Sequence, residues 1–247
     1  MTPFLEVRDI RKTYGALKAV DGVSLSVRPA EIVGVIGPNG SGKTTLFNSI
    51  QGQIKPTTGH VEFCGEDITG MPPLALSRRG IGRTFQTLQV FVKLSVRDNL
   101  IAAAQEFKGT LARRLFAPPD AGLGEHADRM IELFRLQNVA RLPAGTLSYG
   151  QQKLIDIAMA FMPEPRLVLL DEPCAGVNPG LVEQLRELLG ELNQSQGGSF
   201  VVIEHNMDFI MKLCPHVICM VEGKVMADGP PAAMQSNRQV LEAYLGN

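Results

Sequence analysis

The chain has 247 residues, 45% hydrophobic and 20% charged, with 24 Lys and Arg against 25 Asp and Glu. That length and composition exclude a disordered chain and allow one sizeable core, or a core with a smaller lobe. A net charge of −1 gives no pointer to nucleic acid, and the four cysteines (Cys64, Cys174, Cys214, Cys219) lack C-x-x-C spacing, so they read as small buried thiols of a reducing compartment and not as a zinc or disulfide framework.

From the amino terminus, MTPFLEVRDIRKTYG carries charges where a secretory signal needs an apolar run. No stretch reaches the roughly 18 apolar residues of a membrane span. The sequence is therefore expected to be cytoplasmic, meeting a membrane only by docking onto another protein. Residues 4–8 (FLEVR) and 23–27 (VSLSV) alternate apolar and polar, the mark of half-exposed antiparallel strands. Residues 60–64 (HVEFC), after the turn-forming Pro-Thr-Thr-Gly at 56–59, predict another.

Residues 32–36 (IVGVI), 167–170 (LVLL), 200–203 (FVVI) and 217–221 (VICMV) are instead continuous apolar runs, suited to parallel strands covered on both faces. Between them Leu154, Ile157, Ala158 and Phe161, then Leu181, Leu185, Leu188 and Leu192, repeat at helical spacing. Residues 87–162 hold helical patterns and no strand. Ser95 is a candidate N-cap for a helix over 96–104, and 120–136 supports another. Residues 108–124, rich in Pro, Gly and Arg, predict a flexible surface excursion. The expected fold is an α/β core with an antiparallel β flank (1–86 and 163–247) and an inserted α-helical subdomain (87–162).

The string GPNGSGKTT at 37–45 satisfies G-x-x-x-x-G-K-[ST] directly after a buried strand and before an apolar helix start, the setting of a P-loop. Its glycines let successive N–H groups face a phosphate, with Asn39, Gly40, Ser41, Gly42, Lys43, Thr44 and Thr45 as the expected cradle. Lys43 would neutralise β and γ oxygens, and the Thr44 hydroxyl would ligate Mg²⁺. In LVLLDEP (167–173), Asp171 emerges at the carboxyl end of a buried strand, where α/β sheets place ligands, as a second Mg²⁺ ligand. Glu172 beside it can polarise an attacking water as general base. The loop alone leaves open a switch, a kinase, a repair clamp or a transport motor.

LSYGQ at 147–151 resembles the signature of ATP-binding cassette proteins, usually Leu-Ser-Gly-Gly-Gln. Ser148 and the Gly150 amide, at a helix start, form a second anion site. The resemblance implies that two cassettes pack head to tail, with Ser148, Gly150 and Gln151 closing on the other chain's ATP. Tyr149 replaces the usual glycine and must point away from the phosphate. By the same resemblance Tyr14 stacks on adenine, Gln86 senses Mg²⁺ and the attacking water, and His205 contacts the γ-phosphate; His60, His126 and His216 are given no role. AGVNP at 175–179 resembles the loop that crosses the dimer interface, with Asn178 in place of the common aspartate.

The motifs G-R-T-F-Q, L-S-Y-G-Q-Q, D-E-P-x-A-G-x-N-P, V-I-E-H-x-M and the closing A-Y-L-G are similar, more narrowly, to ATPase subunits of branched-chain amino acid importers. That likeness implies a second ATPase subunit, identical or a paralogue, and integral membrane permease subunits seated near Gln86 and residues 87–93. It further implies a solute-binding protein acting indirectly, and no nucleic acid. A soluble cassette ATPase acting on nucleic acid or the ribosome is the alternative, against which stand the single cassette and the lack of a heptad run between residues 45 and 146. A GTP switch lacks its N-K-x-D motif.

Overall fold

The computed structural model describes residues 3–84, 87–104 and 121–245. In chain order its first elements are β1 (Leu5–Tyr14), β2 (Leu17–Val27), β3 (Ile32–Ile36), α1 (Lys43–Ile50), β4 (Thr58–Phe63), β5 (Glu66–Asp67), α2 (Pro73–Ser77) and β6 (Ile81–Arg83). Among the described residues there follow the α-helices α3 (Val96–Ala104), α4 (Ala121–Leu133) and α5 (Tyr149–Phe161). The rest are β7 (Leu167–Asp171), α6 (Pro179–Gln196), β8 (Ser199–Ile203), α7 (Met207–Leu213), β9 (His216–Val221), β10 (Lys224–Gly229), α8 (Pro231–Ser236) and α9 (Arg238–Leu245).

The strands form two sheets. An antiparallel sheet has the order β2-β1-β4-β5, and a six-stranded sheet the order β10-β9-β3-β8-β7-β6. In the larger sheet every pairing is parallel except the β9–β10 hairpin at one edge. Strands β3, β7 and β8 are buried at all five positions, as their unbroken apolar runs require of strands covered on both faces.

Because side chains alternate across a strand, these runs feed two different cores. Val33, Val35, Leu167, Leu169, Val201 and Ile203 face the antiparallel sheet and the α1 residues Leu46, Phe47 and Ile50. Ile32, Ile36, Val168, Leu170, Phe200 and Val202 face the helices, meeting Leu100, Phe134, Ile157, Leu188 and Phe209. Each such fully buried aliphatic or aromatic side chain stabilises the fold by about 1.5–3 kcal/mol. The described helices of 87–162 thus share one apolar cluster with a face of the sheet. No strand occurs in the described part of that stretch.

Local chemistry sets the element ends. The Ser95 hydroxyl accepts the Asp98 N–H at 3.0 Å and caps α3 as expected. Helix α4 stops at Leu133, short of 136, because Arg135 turns left-handed at φ 56. Two expectations need correction. Residues 121–124 are not part of a surface excursion but the first turn of α4. The apolar face through Ala127, Met130 and Ile131 outweighs the roughly 1 kcal/mol helix penalty of each glycine. Residues 108–120 lie outside the described residues. Cys64 is not buried: it sits exposed at the β4–β5 turn with φ 53, whereas Cys174, Cys214 and Cys219 are buried.

Strands β1 and β2 run longer than their alternating segments. A register shift between Val7 and Ile10, with Asp9 at φ 46, flips the buried parity from Leu5 and Val7 to Ile10. Among the described residues no helix is long and apolar enough to cross a membrane.

Candidate active site

The loop over residues 37–42 leaves the end of β3 and enters α1. Gly37 has φ 148 and Gly42 has φ 98. A Cβ at Gly37 would stand 2.1 Å from the Met220 carbonyl oxygen, and one at Gly42 would stand 2.2 Å from that of Ala19. Both glycines are therefore required twice, by backbone conformation and by close approach. Gly42, the α1 N-cap, provides no side-chain cap, which leaves the first-turn N–H groups free for an anion. Changing Gly42 to alanine is expected to weaken nucleotide binding by about tenfold or more, from roughly 1–3 kcal/mol of backbone strain. Titration calorimetry checks this, and unchanged affinity would remove the loop from the site.

Lys43 is 5% exposed. Its ammonium donates to the carbonyls of Gly37 (2.8 Å) and Pro38 (2.9 Å) and to the Ser41 hydroxyl (3.4 Å). Burial holds it below the ordinary lysine range, against the opposing pull of Glu172, Cys219 and Asp171. At the end of β7, Asp171 is 8% exposed, and its carboxyl is pushed up by burial and then by the neighbouring Glu172. Burial penalises each charge, and the Glu172 carboxylate adds to the penalty at Asp171. A phosphate beside Lys43 and a cation beside Asp171 would relieve both penalties, so the residues fit a metal-bearing polyphosphate. Among the described residues no group of three or more His, Cys, Asp or Glu is gathered to hold a metal. A hydroxyl such as that of Thr44, one carboxylate and phosphate oxygens make the hard oxygen donor set that suits Mg²⁺.

Glu172 adopts φ 48, and its N–H still donates to Ile203 at 2.9 Å. The chain therefore swings out of β7 just after its last ladder bond. There the Glu172 Oε1 meets His205 Nε2 at 3.1 Å. One buried carboxylate organises both loops: Glu204 accepts N–H bonds from Cys174 (2.7 Å), His205 (2.7 Å) and Asn206 (2.9 Å). Sequence reasoning passed over Glu204. Its available signal was an acid directly following a fully apolar strand.

A cleft of about 650 Å³ gathers Tyr14, Leu17, Lys18, Ala19, Asn39, Gly40, Ser41, Gly42, Lys43, Thr44, Thr45, Glu172, His205 and Glu222. All the expected cradle residues thus share one cavity with Tyr14, Glu172 and His205; Leu17, Lys18, Ala19 and Glu222 were not foreseen. Tyr14 is 50% exposed at the rim, with the Lys12 ammonium 5.1 Å from its ring centroid. His60, His126 and His216 do not line this cleft. Gln86 lies outside the described residues.

Ser148, Gly150 and Gln151 are not among the cleft's lining residues. Ser148 caps α5 in a reciprocal box: its hydroxyl accepts the Gln151 N–H, and the Gln151 side chain accepts the Ser148 N–H at 3.1 Å. Gly150 is buried against Leu181, and the Tyr149 ring lies against Gly176. Asn178 caps α6, accepting the Leu181 N–H at 3.0 Å.

Residues 20–175 match the family described as ABC transporter, and residues 224–247 match the one described as branched-chain amino acid ATP-binding cassette transporter. The chain is 37% identical to the high-affinity branched-chain amino acid transport ATP-binding protein BraF of Pseudomonas aeruginosa, over 99% of this chain and 98% of that one. It is 34% identical to LivG, of the same description, from Escherichia coli, at the same coverage. Among solved structures, the ADP conformation of MJ1267, an ATP-binding cassette of an ABC transporter, superimposes with TM-score 0.90 at 36% identity over the whole of both chains. A nucleotide-free ATP-binding cassette from an ABC transporter does so with TM-score 0.88 at 35% identity, again over both whole chains.

Proposed function

The chain belongs to the ABC transporter family, and from that premise we propose that it is the ATP-hydrolysing subunit of an importer for branched-chain or chemically related amino acids. The carrying observation is the single cleft that joins the glycine loop and Lys43 to the Glu172–His205 pair. There Tyr14 stacks on adenine, and the N–H groups of 39–45 with Lys43 bind the phosphates. Thr44 and Asp171 would hold Mg²⁺, which when bound neutralises phosphate charge. Glu172 accepts a proton from the water that attacks the γ-phosphorus as the bond to ADP breaks, and His205 orients Glu172 and meets the γ-phosphate. Gln86 is assigned to Mg²⁺ and the attacking water by family likeness alone.

Ser148, Gly150 and Gln151 stand apart from this cleft, so they serve the nucleotide of a second ATPase subunit packed head to tail. ATP then favours the closed pair because only that state makes both sets of contacts. The helical subdomain over 87–162 meets the permease: Phe91, Val92, Leu94 and Leu142 are all exposed apolar side chains, the surface that a short permease helix would cover. A solute-binding protein delivers the amino acid on the far side, and the chain itself works from the cytoplasmic face.

Two measurements test this reading. Ser148→Arg is expected to retain ATP binding in the isolated chain while hydrolysis falls about 100-fold or more; full activity would end the shared-site reading. Affinity purification from solubilised membranes is expected to recover permease subunits and a cassette partner. Recovery with ribosomes or nucleic acid would favour the rival.

A further inference from the structure

The closing Ala-Tyr-Leu of residues 243–245 has no part in the mechanism above, yet it reaches the phosphate loop. The Gly37 N–H donates to the Tyr244 hydroxyl at 2.6 Å, across 207 residues of sequence. On its other side the Gly37 carbonyl accepts the Lys43 ammonium at 2.8 Å. The first residue of the loop is thus bonded by α9 at one end and by the phosphate-binding lysine at the other. Nearby elements leave it little room. The Met220 carbonyl closes over the Gly37 α-carbon, and the Gly223 N–H donates to the Ser41 carbonyl at 3.0 Å.

The seat of α9 is narrow. Val240 is 1% exposed and Tyr244, one turn later, packs on the same apolar cluster, while Arg238, Gln239, Leu241 and Glu242 face solvent. Side chains four apart lie on one helix face, so the contact that fixes α9 is also the one that delivers the hydroxyl. Burial pushes the Tyr244 phenol up to about 12, so it remains a neutral hydroxyl across physiological pH. The contact is then independent of pH there.

We propose that Tyr244 is a positioning residue for the phosphate loop: its hydroxyl holds the Gly37 peptide in the orientation from which Lys43 and the start of α1 receive phosphate. The proposal rests on the nucleotide reading of the cleft and adds a long-range support to it. A buried backbone N–H left without its acceptor favours loop conformations that no longer present the cradle.

The test is Tyr244→Phe in the full chain, which keeps the ring packing and removes only the hydroxyl. ADP affinity is measured by titration calorimetry well below both melting temperatures, so that every molecule is folded. The variant is expected to bind ADP about 3- to 10-fold more weakly, the loss of one net hydrogen bond. Hydrogen exchange at the Gly37 amide is expected to quicken. An affinity change smaller than threefold overturns the proposal even if the melting temperature falls, because that result describes packing alone. If the unsubstituted chain fails to bind ADP, the nucleotide reading itself is wrong and this inference falls with it. Binding by the parent with equal binding by the variant sinks only the role of Tyr244.

Discussion

Replacing Glu172 by glutamine lowers the turnover number for ATP hydrolysis by about 100-fold or more, the usual contribution of a positioned general base, while nucleotide binding survives. Glutamine has the same shape and can keep the contact to His205 that Glu172 makes at 3.1 Å. What it lacks is a basic oxygen for the proton of the attacking water. Binding has a reason to strengthen. The Glu172 charge pushes the Asp171 carboxyl up, so removing it helps Asp171 ionise and meet a metal-bearing phosphate. Trapped ATP-bound dimers should then accumulate, visible by gel filtration. Brisk hydrolysis by the variant would remove Glu172 from its assigned role and leave His205 without its partner in the chemistry.

The second large effect is on binding. Lys43→Ala should weaken ATP and ADP binding by about 100-fold or more, since it deletes the charge-assisted contacts expected with two phosphate groups. Fold damage is a lesser concern than for most buried residues. Burial holds the Lys43 ammonium below the ordinary lysine range, a cost that its bonds to the Gly37 and Pro38 carbonyls and the Ser41 hydroxyl offset in part and that a polyanion would offset further. Circular dichroism should show a folded variant, and calorimetry should show the lost affinity. A folded Lys43→Ala protein with parental affinity would remove Lys43 from the proposed phosphate site.

Legibility varied with distance along the chain. The strands β3, β7, β8 and β9 were readable because a strand covered on both faces is apolar along most of its length, and a run of four or five such residues has few other uses. Strands β5, β6 and β10 were missed. The first two have two and three residues, and the third is an edge strand of alternating exposed and half-buried residues, so none leaves an apolar run. The bulge at Asp9 ended the visible alternation of β1 at residue 8, although pairing with β2 continues to Tyr14. The apparent excursion at 121–124 failed for the opposite reason: glycine content spoke locally for a loop, and packing of the residues that follow overrode it.

Within the site, the phosphate cradle, Asp171 and Glu172 were legible because each lies in a contiguous string at the carboxyl end of a buried strand, whereas His205, a lone histidine after such a strand, was singled out only by family resemblance. Glu204 and Tyr244 were not assigned roles. Each has a partner backbone N–H remote in sequence, Cys174 for Glu204 and Gly37 for Tyr244, and no local pattern encodes those pairings.

The amino-acid order by itself determined the inventory: which strands are buried on both faces, which loop can wrap a phosphate, and which acids stand at strand ends. Side-chain period and glycine spacing are local properties, settled within a few residues. Only the tertiary structure decided how the inventory meets. Placing β3 between β8 and β9 sets the phosphate loop beside strand ends that are far away in the chain. That order of strands brings Glu172 to His205 and, through the final helix, Tyr244 to Gly37. Strand order follows from which apolar faces pack together over the whole molecule, a condition that no single segment carries.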